Sequence, residues 1–237
     1  MNKISDAFNN KKAFIPFVTA GDPDLDTTKE ILFAMQEGGA DLIEIGIPFS
    51  DPVAEGPVIQ EADLRALEAG TTTDHIFDMV RSIKDKLHVP VVFMTYINPI
   101  YVYGTEKFAR RAKECGAAGV IVPDVPFEEK HEILEIFHEQ DLEVVSMIAP
   151  TSSEKSKNDR SRGRGICVLR KFSGSNGYAF RNQYRHCLFD PGCKIRQRNS
   201  MCHRIWNLHT GAGKKNGGCF RRSHRRQCHR KNCGGTW

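Results

Sequence analysis

Cysteine and tryptophan are almost absent from the first two thirds of this 237-residue chain. Residues 1–153 contain one cysteine, Cys115, and no tryptophan, whereas residues 154–237 contain seven cysteines and both tryptophans. A single cysteine excludes a disulfide framework or a multi-cysteine metal centre within the first part of the chain. The residues that usually suggest such sites are therefore confined to the second part.

Long apolar segments are also missing. We find no apolar run of transmembrane length, and the N-terminal residues Met-Asn-Lys-Ile-Ser-Asp lack the apolar segment of a secretory signal. We therefore expect a cytoplasmic protein without a membrane partner. The chain is long enough to bury a sizeable core, as one large α/β domain or as two small ones.

Each part of the chain is poor in charge of one sign. Residues 1–153 carry 13 Lys and Arg against 26 Asp and Glu, a net charge of −13. Residues 154–237 carry 21 basic and 3 acidic residues, a net charge of +18, so the overall value of +5 describes neither part. A change this abrupt indicates a second domain, a basic tail or a break in the reading frame.

Hydrophobic periodicity in residues 1–153 predicts alternating strands and helices. The predicted strands cover residues 13–19, 41–45, 90–96, 119–122 and 142–148. The predicted helices begin after a cap at Asp26 or Thr27, at residue 61, after a cap at Thr73 or Asp74, and at residues 106 and 127. This alternation is typical of a parallel sheet in a (β/α)8 barrel or a doubly wound α/β fold. No Gly-x-Gly-x-x-Gly follows the first strand, so a dinucleotide-binding fold gains no support.

Polar and turn residues follow the predicted strands, at Gly21, Asp22, Asn98, Asp124 and residues 51–56. In a barrel these positions share the rim on which active sites are built. Glu44 lies within the second strand itself, and an ionisable side chain in an apolar strand is costly unless it is paired or used. Glu44, together with Asp51 and Glu55 in the loop that follows, marks the candidate active site. The alternative is that Glu44 is a solvated carboxylate at the rim.

Three sequence blocks match one family. They are Phe-Val-Thr-Ala-Gly-Asp-Pro at residues 17–23, the segment from Glu44 to Pro57 with its Pro-Phe-Ser-Asp-Pro loop, and Val-Pro-Asp-Val-Pro at residues 122–126. In their order and spacing, residues 1–153 resemble the tryptophan synthase alpha subunit family. The resemblance implies a (β/α)8 TIM barrel with its first five strands encoded here. It also implies a lyase that cleaves indole-3-glycerol phosphate to indole and glyceraldehyde 3-phosphate in tryptophan biosynthesis.

The resemblance assigns the chemistry to two carboxylates. Cleavage requires a proton at C3 of the indole, a base for the glycerol hydroxyl and a carboxylate opposite the indole nitrogen. Two carboxylates in different environments can divide these roles. By resemblance Glu44 is the proton-transfer group. Glu55 stands where the family usually has an aspartate that binds the indole N–H, so the charge is kept and one methylene is added.

Further roles follow from the same resemblance. Phe17 and Tyr96 stand where the family lines the indole pocket, although both would otherwise be ordinary core aromatics. Pro48 and Asp51 stand where the family contacts a beta subunit, and Asp51 could equally hold the loop as an Asx-turn residue. The family forms an alpha2-beta2 heterotetramer in which pyridoxal phosphate belongs to the beta subunit. We therefore expect no cofactor and no metal in this chain.

Residues 154–237 show no βα alternation. Their cysteine and histidine spacings fit no standard zinc pattern, which argues against a metal cluster at Cys219, His224, Cys228, His229 and Cys233. A basic tail that binds nucleic acid is chemically reasonable. The alternatives to the lyase are therefore another phosphosugar-binding barrel enzyme and a binding protein with such a tail. We favour neither and expect no nucleic-acid partner.

Codon degeneracy permits a test of the reading frame. Residues 204–209 can be written CGG ATT TGG AAT CTC CAC, which read one base later encodes Gly-Phe-Gly-Ile-Ser. Residues 222–237 can likewise be shifted to Gly-Val-Ile-Val-Gly-Ser-Ala-Ile-Val-Lys-Ile-Val-Glu-Glu-Leu. Both resemble the family's phosphate-binding segments, in the right order. The hypothesis is a frame break near residues 153–160, with 1–153 part of a barrel and 154–237 a frameshifted segment without a native fold.

This hypothesis predicts a chain that keeps both carboxylates but lacks the phosphate site and barrel closure. An open five-stranded sheet exposes an edge and an apolar face, so we expect aggregation or partial folding. Loss of activity is a further expected consequence.

Overall fold

The computed structural model describes residues 13–125 and 129–148 together with Ile4 and Ala7, and the backbone of two further strands, Gly165–Ser173 and Arg181–Phe189. For residues 146–148 the description covers the backbone only. All of these residues belong to a compact unit, Met1–Ile205. The possible metal cluster and the two codon-shifted segments of the second part lie outside the described residues.

Strands and helices alternate along most of the described chain. The strands are β1 (Phe17–Thr19), β2 (Ile43–Gly46), β3 (Val91–Met94), β4 (Gly119–Ile121), β5 (Glu143–Ile148), β6 (Gly165–Ser173) and β7 (Arg181–Phe189). The helices are α1 (Leu25–Glu37), α2 (Pro57–Glu68), α3 (Thr73–Ile83), α4 (Ile97–Tyr103), α5 (Thr105–Glu114) and α6 (His131–Glu139).

The first five strands are parallel, and each pairs with the next strand along the chain. A doubly wound sheet would reverse its strand order at a switch point. These five strands show no reversal, so their order is that of a (β/α)8 barrel. The carboxyl ends of the strands therefore lie along one edge, where the predicted site residues fall.

The sheet continues beyond the five predicted strands. β6 pairs with β5 in parallel, and β7 pairs with β6 antiparallel over nine residue pairs. In residues 154–237, where we expected no βα alternation, the structure thus describes an antiparallel pair and not a βα unit. Ile and Val in β6, and Tyr and Phe in β7, are residue types that favour strands.

Several predicted helix boundaries need correction. The N-cap of α1 is Asp24, and not Asp26 or Thr27, because its carboxylate accepts the Thr27 N–H at 2.7 Å. This hydrogen bond also lowers the pKa of Asp24. The N-cap of α3 is Thr72, one residue before Thr73, the first of the two predicted positions. α2 begins at Pro57, four residues before the predicted start at residue 61, because proline suits the first turn of a helix.

The sheet has a hydrophobic cluster on each face. Alternate residues of a strand point to opposite faces. The cluster between sheet and helices includes Ile43, Ile45, Phe93, Phe77 and Phe108. The inner cluster includes Ile15, Leu42, Val92, Ile121 and Val145, together with Ile4 and Ala7. Two packed faces are expected for barrel strands.

Cys115, the C-cap residue of α5, is buried. Burial raises the pKa of its thiol to about 12, so the thiol is protonated at neutral pH. No helix among the described residues is long and apolar enough to cross a bilayer.

Candidate active site

Glu44 lies on the inner face of the sheet, two residues after the inner-face residue Leu42. In the parallel register Glu44 is opposite Phe17 of β1 and Val92 of β3. Its residue exposure is 3%, although a carboxylate is rarely buried unless it is paired. The structure therefore places a buried carboxyl group within the sheet, two residues before the carboxyl end of β2.

Phe17 lies beside Glu44 because Gly46 leaves room for its ring. A Cβ atom built on Gly46 would lie 2.6 Å from Cζ of Phe17, closer than real Cβ atoms approach. The ring thus packs against the backbone of β2, two residues beyond Glu44. This position is compatible with the predicted role of Phe17 in the pocket.

Tyr96 organises the loop between β2 and α2. Its hydroxyl group donates to Oε1 of Glu55 at 3.2 Å and accepts the Ala54 N–H at 3.0 Å. Its ring also packs against Phe49, with centroids 5.5 Å apart. Tyr96 is 4% exposed. Its hydrogen bonds connect this buried side chain to Glu55 and Ala54 of the loop.

Glu55 is in a wetter setting than Glu44, as expected for a loop residue. Glu55 is half-buried, whereas Glu44 is buried in the sheet. The loop is further braced by Gln60, whose side-chain amide donates to the Glu55 carbonyl oxygen at 3.1 Å. Two carboxyl groups in different environments therefore belong to one βα unit, an arrangement that suits acid–base chemistry.

Asp63 is a site residue that our sequence analysis did not identify. It lies in α2 and is 5% exposed. The Thr19 hydroxyl donates to Oδ1 of Asp63 at 3.4 Å, and the Phe49 backbone N–H also donates to this carboxyl group. Burial and the nearby charge of Glu55 raise the pKa of Asp63 to about 7.

Helical spacing could have identified Asp63. Ile59, Ala62 and Ala66 define the apolar stripe of α2, and all three are buried. Asp63 falls on the same stripe, four residues after Ile59 and three before Ala66. A carboxylate on the buried face of a helix is as informative as one inside an apolar strand.

Asp22 and Arg65 close the loop after β1 against α2. The Arg65 guanidinium donates two hydrogen bonds to Asp22, each 2.8 Å long. Gly21 has a φ of +88°, and a Cβ atom there would lie 2.1 Å from Oγ1 of Thr71. The loop after β1 can therefore approach the helices only with glycine at this position.

Asp124 also lies at this edge of the sheet. Its carboxylate accepts the Ile97 N–H at 3.1 Å and so caps α4, directly after Tyr96. Burial raises the pKa of Asp124. The sequence placed Asp124 among the polar and turn residues of the rim, and its contact with Ile97 shows that it also supports α4.

The predicted interface residues differ in exposure. Pro48 is buried, and Asp51 is exposed with its carboxylate accepting from the Ser50 hydroxyl. No group of three or more His, Cys, Asp or Glu suited to a metal ion occurs in the part of the chain that the structure describes.

Comparison with known proteins identifies the family. Residues 4–164 match the family described as tryptophan synthase alpha chain. The tryptophan synthase alpha chain of Caldanaerobacter subterraneus is 42% identical over 182 residues, which cover 75% of this chain and 70% of that protein. That of Lacticaseibacillus casei is 41% identical over 177 residues, 75% of this chain and 66% of the relative.

Solved structures agree with the sequence comparisons. The alpha subunit of tryptophan synthase from Legionella pneumophila is 40% identical, with a TM-score of 0.63 over 67% of this chain and 63% of that chain. The tryptophan synthase a2b2 complex from Pyrococcus furiosus includes a chain that is 40% identical, with a TM-score of 0.63 over 66% and 67% of the two chains. The match thus spans about two thirds of the length of these relatives. The predicted barrel fold and the predicted family are confirmed, and this chain belongs to the tryptophan synthase alpha chain family.

Proposed function

We propose that this chain derives from a lyase that cleaves indole-3-glycerol phosphate to indole and glyceraldehyde 3-phosphate in tryptophan biosynthesis. One observation carries the proposal. A buried carboxyl group, Glu44, and a half-buried one, Glu55, belong to the same βα unit at the carboxyl edge of the sheet. Active sites of barrel enzymes are built at this edge.

The reaction divides between the two carboxyl groups. Glu44 gives a proton to C3 of the indole and takes the proton of the glycerol hydroxyl as the carbon–carbon bond breaks and the aldehyde forms. Glu55 accepts a hydrogen bond from the indole N–H and stabilises the positive charge that develops on the ring. Tyr96 holds Glu55 by the hydrogen bond to Oε1, and Phe17 supplies an apolar wall. No cofactor takes part in these steps.

The phosphate of the substrate would be bound by loops after later strands, in the segment that we assign to a frame break. Three observations support a break near residues 153–160. The charge changes sign there, the match to the family model ends at residue 164, and shifted codons restore family-like segments. Residues 164–170 can also be written AGA GGG ATT TGT GTA CTG CGT, which one base later encodes Glu-Gly-Phe-Val-Tyr-Cys, another apolar run typical of a strand.

Resequencing and one matched pair of proteins test this proposal. The gene is resequenced across codons 150–165, and a frame-restored chain is made by deleting one base between codons 153 and 160. We expect the frame-restored chain to release indole from indole-3-glycerol phosphate and the 237-residue chain to release none. Indole release by the unaltered chain would refute the frame break. A folded frame-restored chain without activity would refute the lyase.

A beta subunit is the proposed partner, in an alpha2-beta2 tetramer located in the cytoplasm, with pyridoxal phosphate on the beta subunit. The edge that carries the site also exposes large apolar side chains. Val53 is 79% exposed in the β2–α2 loop, and Val102 and Tyr101 are 82% and 49% exposed on α4. Exposed apolar groups in adjacent segments are typical of a protein interface. The Pyrococcus furiosus relative was solved as an a2b2 complex.

Val102→Asp is expected to weaken binding of the beta subunit by roughly 10-fold or more, because it places a charge in the apolar part of the interface. Calorimetric titration of the frame-restored chain with beta subunit measures the change. The matched control is Leu64→Asp, the same substitution at a 53% exposed position on α2. Equal affinities for the Val102 variant and the unsubstituted chain would place the interface elsewhere.

A further inference from the structure

Asp63 joins three elements of the site. Its carboxyl group accepts the Thr19 hydroxyl at the end of β1 and the Phe49 backbone N–H at the start of the β2–α2 loop. The residue itself belongs to α2 and is 5% exposed. The reaction steps assigned to Glu44 and Glu55 do not use it. A buried carboxyl group in this position therefore requires an explanation of its own.

The charged groups around Asp63 are mostly negative. Glu55 of the β2–α2 loop and Asp22 of the loop after β1 both act on Asp63 electrostatically. Arg65, two residues after Asp63 in α2, donates two hydrogen bonds to Asp22. Asp63 therefore faces two carboxylates, and the arginine nearest to it in the helix neutralises one of them.

We propose that Asp63 is a positioning residue, whose protonated carboxyl group holds the β2–α2 loop against β1 and leaves the negative charge of the pair on Glu55. The proposal rests on the proposed function for the role of Glu55 as the acceptor of the indole N–H. Two neighbouring carboxyl groups cannot both ionise cheaply, so one of them keeps the proton. Asp63 keeps it because Asp63 is the more buried of the two.

The electrostatic balance agrees with this geometry. The pKa of Asp63 is raised to about 7, first by burial and then by the charge of Glu55, while the hydrogen bonds from Phe49 and Thr19 act in the opposite direction. Above this pH, Asp63 becomes a buried anion beside the half-buried Glu55, and repulsion moves the β2–α2 loop away from β1. Glu55 is then displaced from the position in which Tyr96 holds it.

Hydrogen exchange of the full 237-residue chain tests the proposal without requiring activity. The readout is the protection of peptides that cover residues 47–56, corrected for the intrinsic pH dependence of exchange. We expect protection in the unsubstituted chain to fall by roughly 10-fold between about pH 6 and pH 8. In Asp63→Asn, which keeps an acceptor oxygen and cannot ionise, protection should stay constant over the same range. Asp63→Ala should be less protected at every pH.

Controls separate this role from simple loss of structure. The helix α5 (Thr105–Glu114) should remain protected in every variant and shows that the chain is folded. Asp26→Asn is the matched substitution at a position 91% exposed at its side chain, and it should leave the pH dependence of residues 47–56 unchanged. Equal pH dependence in the unsubstituted chain and Asp63→Asn would overturn the proposal. An unprotected 47–56 segment in a chain with protected α5 would also overturn it.

A second measurement connects the residue to catalysis. In the frame-restored chain, the rate of indole release should decline on the alkaline side with an apparent pKa near 7, and Asp63→Asn should remove this decline. An unchanged profile in Asp63→Asn would show that Asp63 does not act through Glu55. Absence of activity in every chain would refute the proposed function, whereas the exchange experiment would still decide the role of Asp63.

Discussion

Glu44→Gln is expected to reduce kcat for indole release by the frame-restored chain by about 100- to 10,000-fold, the usual contribution of a general acid or base. Glutamine has nearly the same shape as glutamate but cannot carry the proton between the glycerol hydroxyl and indole C3. Glu44 is buried within β2, opposite Phe17 and Val92, so a side chain of nearly equal size replaces it without creating a cavity. The measurement is steady-state indole formation.

The KM for indole-3-glycerol phosphate should change little, because Glu44 acts on the reacting atoms in the transition state and adds little to ground-state binding. Glu30→Gln, at an exposed position of α1, is the control and should have normal activity. If Glu44→Gln retained full activity with a normal fold, another group would have to transfer the proton.

Asp63→Asn is expected to remove a large pH dependence of stability. The carboxyl group has an ordinary pKa of 3.8 when exposed and one of about 7 in the folded chain. Between these values the folded state binds more protons than the unfolded state, so stability falls as the pH rises. At pH 8 the unsubstituted chain should be less stable, relative to its stability below pH 4, by up to about 4 kcal/mol from this group.

Urea unfolding of the frame-restored chain at a series of pH values measures this effect. Asp63→Asn should gain stability relative to the unsubstituted chain as the pH rises from about 4 to 7, with no further gain above that range. Asp26→Asn, at an exposed position, should run parallel to the unsubstituted chain. Parallel curves for Asp63→Asn would mean that Asp63 titrates as an ordinary carboxyl group.

Much of the fold could be predicted from local patterns. All five strands in residues 1–153 were found, because buried parallel strands form short, nearly continuous apolar runs. Their limits were too wide in places: the first predicted strand covered residues 13–19, and the observed β1 is Phe17–Thr19. Apolar residues that precede a strand are packed in the core without taking part in the ladder, and hydrophobicity does not distinguish the two cases.

α4 (Ile97–Tyr103) was missed for a different reason. The helix has seven residues and includes Pro99, so its local sequence suggests a loop. Its N-terminus is capped by Asp124 of the next βα unit, 27 positions away along the chain. A helix that depends on a distant cap leaves no signal within its own segment.

In the candidate site too, local sequence identified some residues and only the structure identified others. Glu44 and Glu55 stood out because each is unusual beside its immediate neighbours, the one in an apolar strand and the other in a loop that resembles a known family. Tyr96 was assigned to the pocket by resemblance, but its hydrogen bond to Glu55 spans 41 positions. Asp63 was overlooked because an acidic residue in a helix is usually on the solvated face.

The sequence by itself determined the family, the order of strands and helices, the two carboxyl groups and the abrupt change in composition after residue 153. These features are local, because they depend on residue type, periodicity and spacing within short stretches of the sequence. Only the tertiary structure decided that Tyr96 holds Glu55 and that Asp63 is buried against Thr19, 44 positions away. Burial and electrostatic coupling depend on which elements the parallel sheet brings together, and the pKa of a carboxyl group follows from those neighbours.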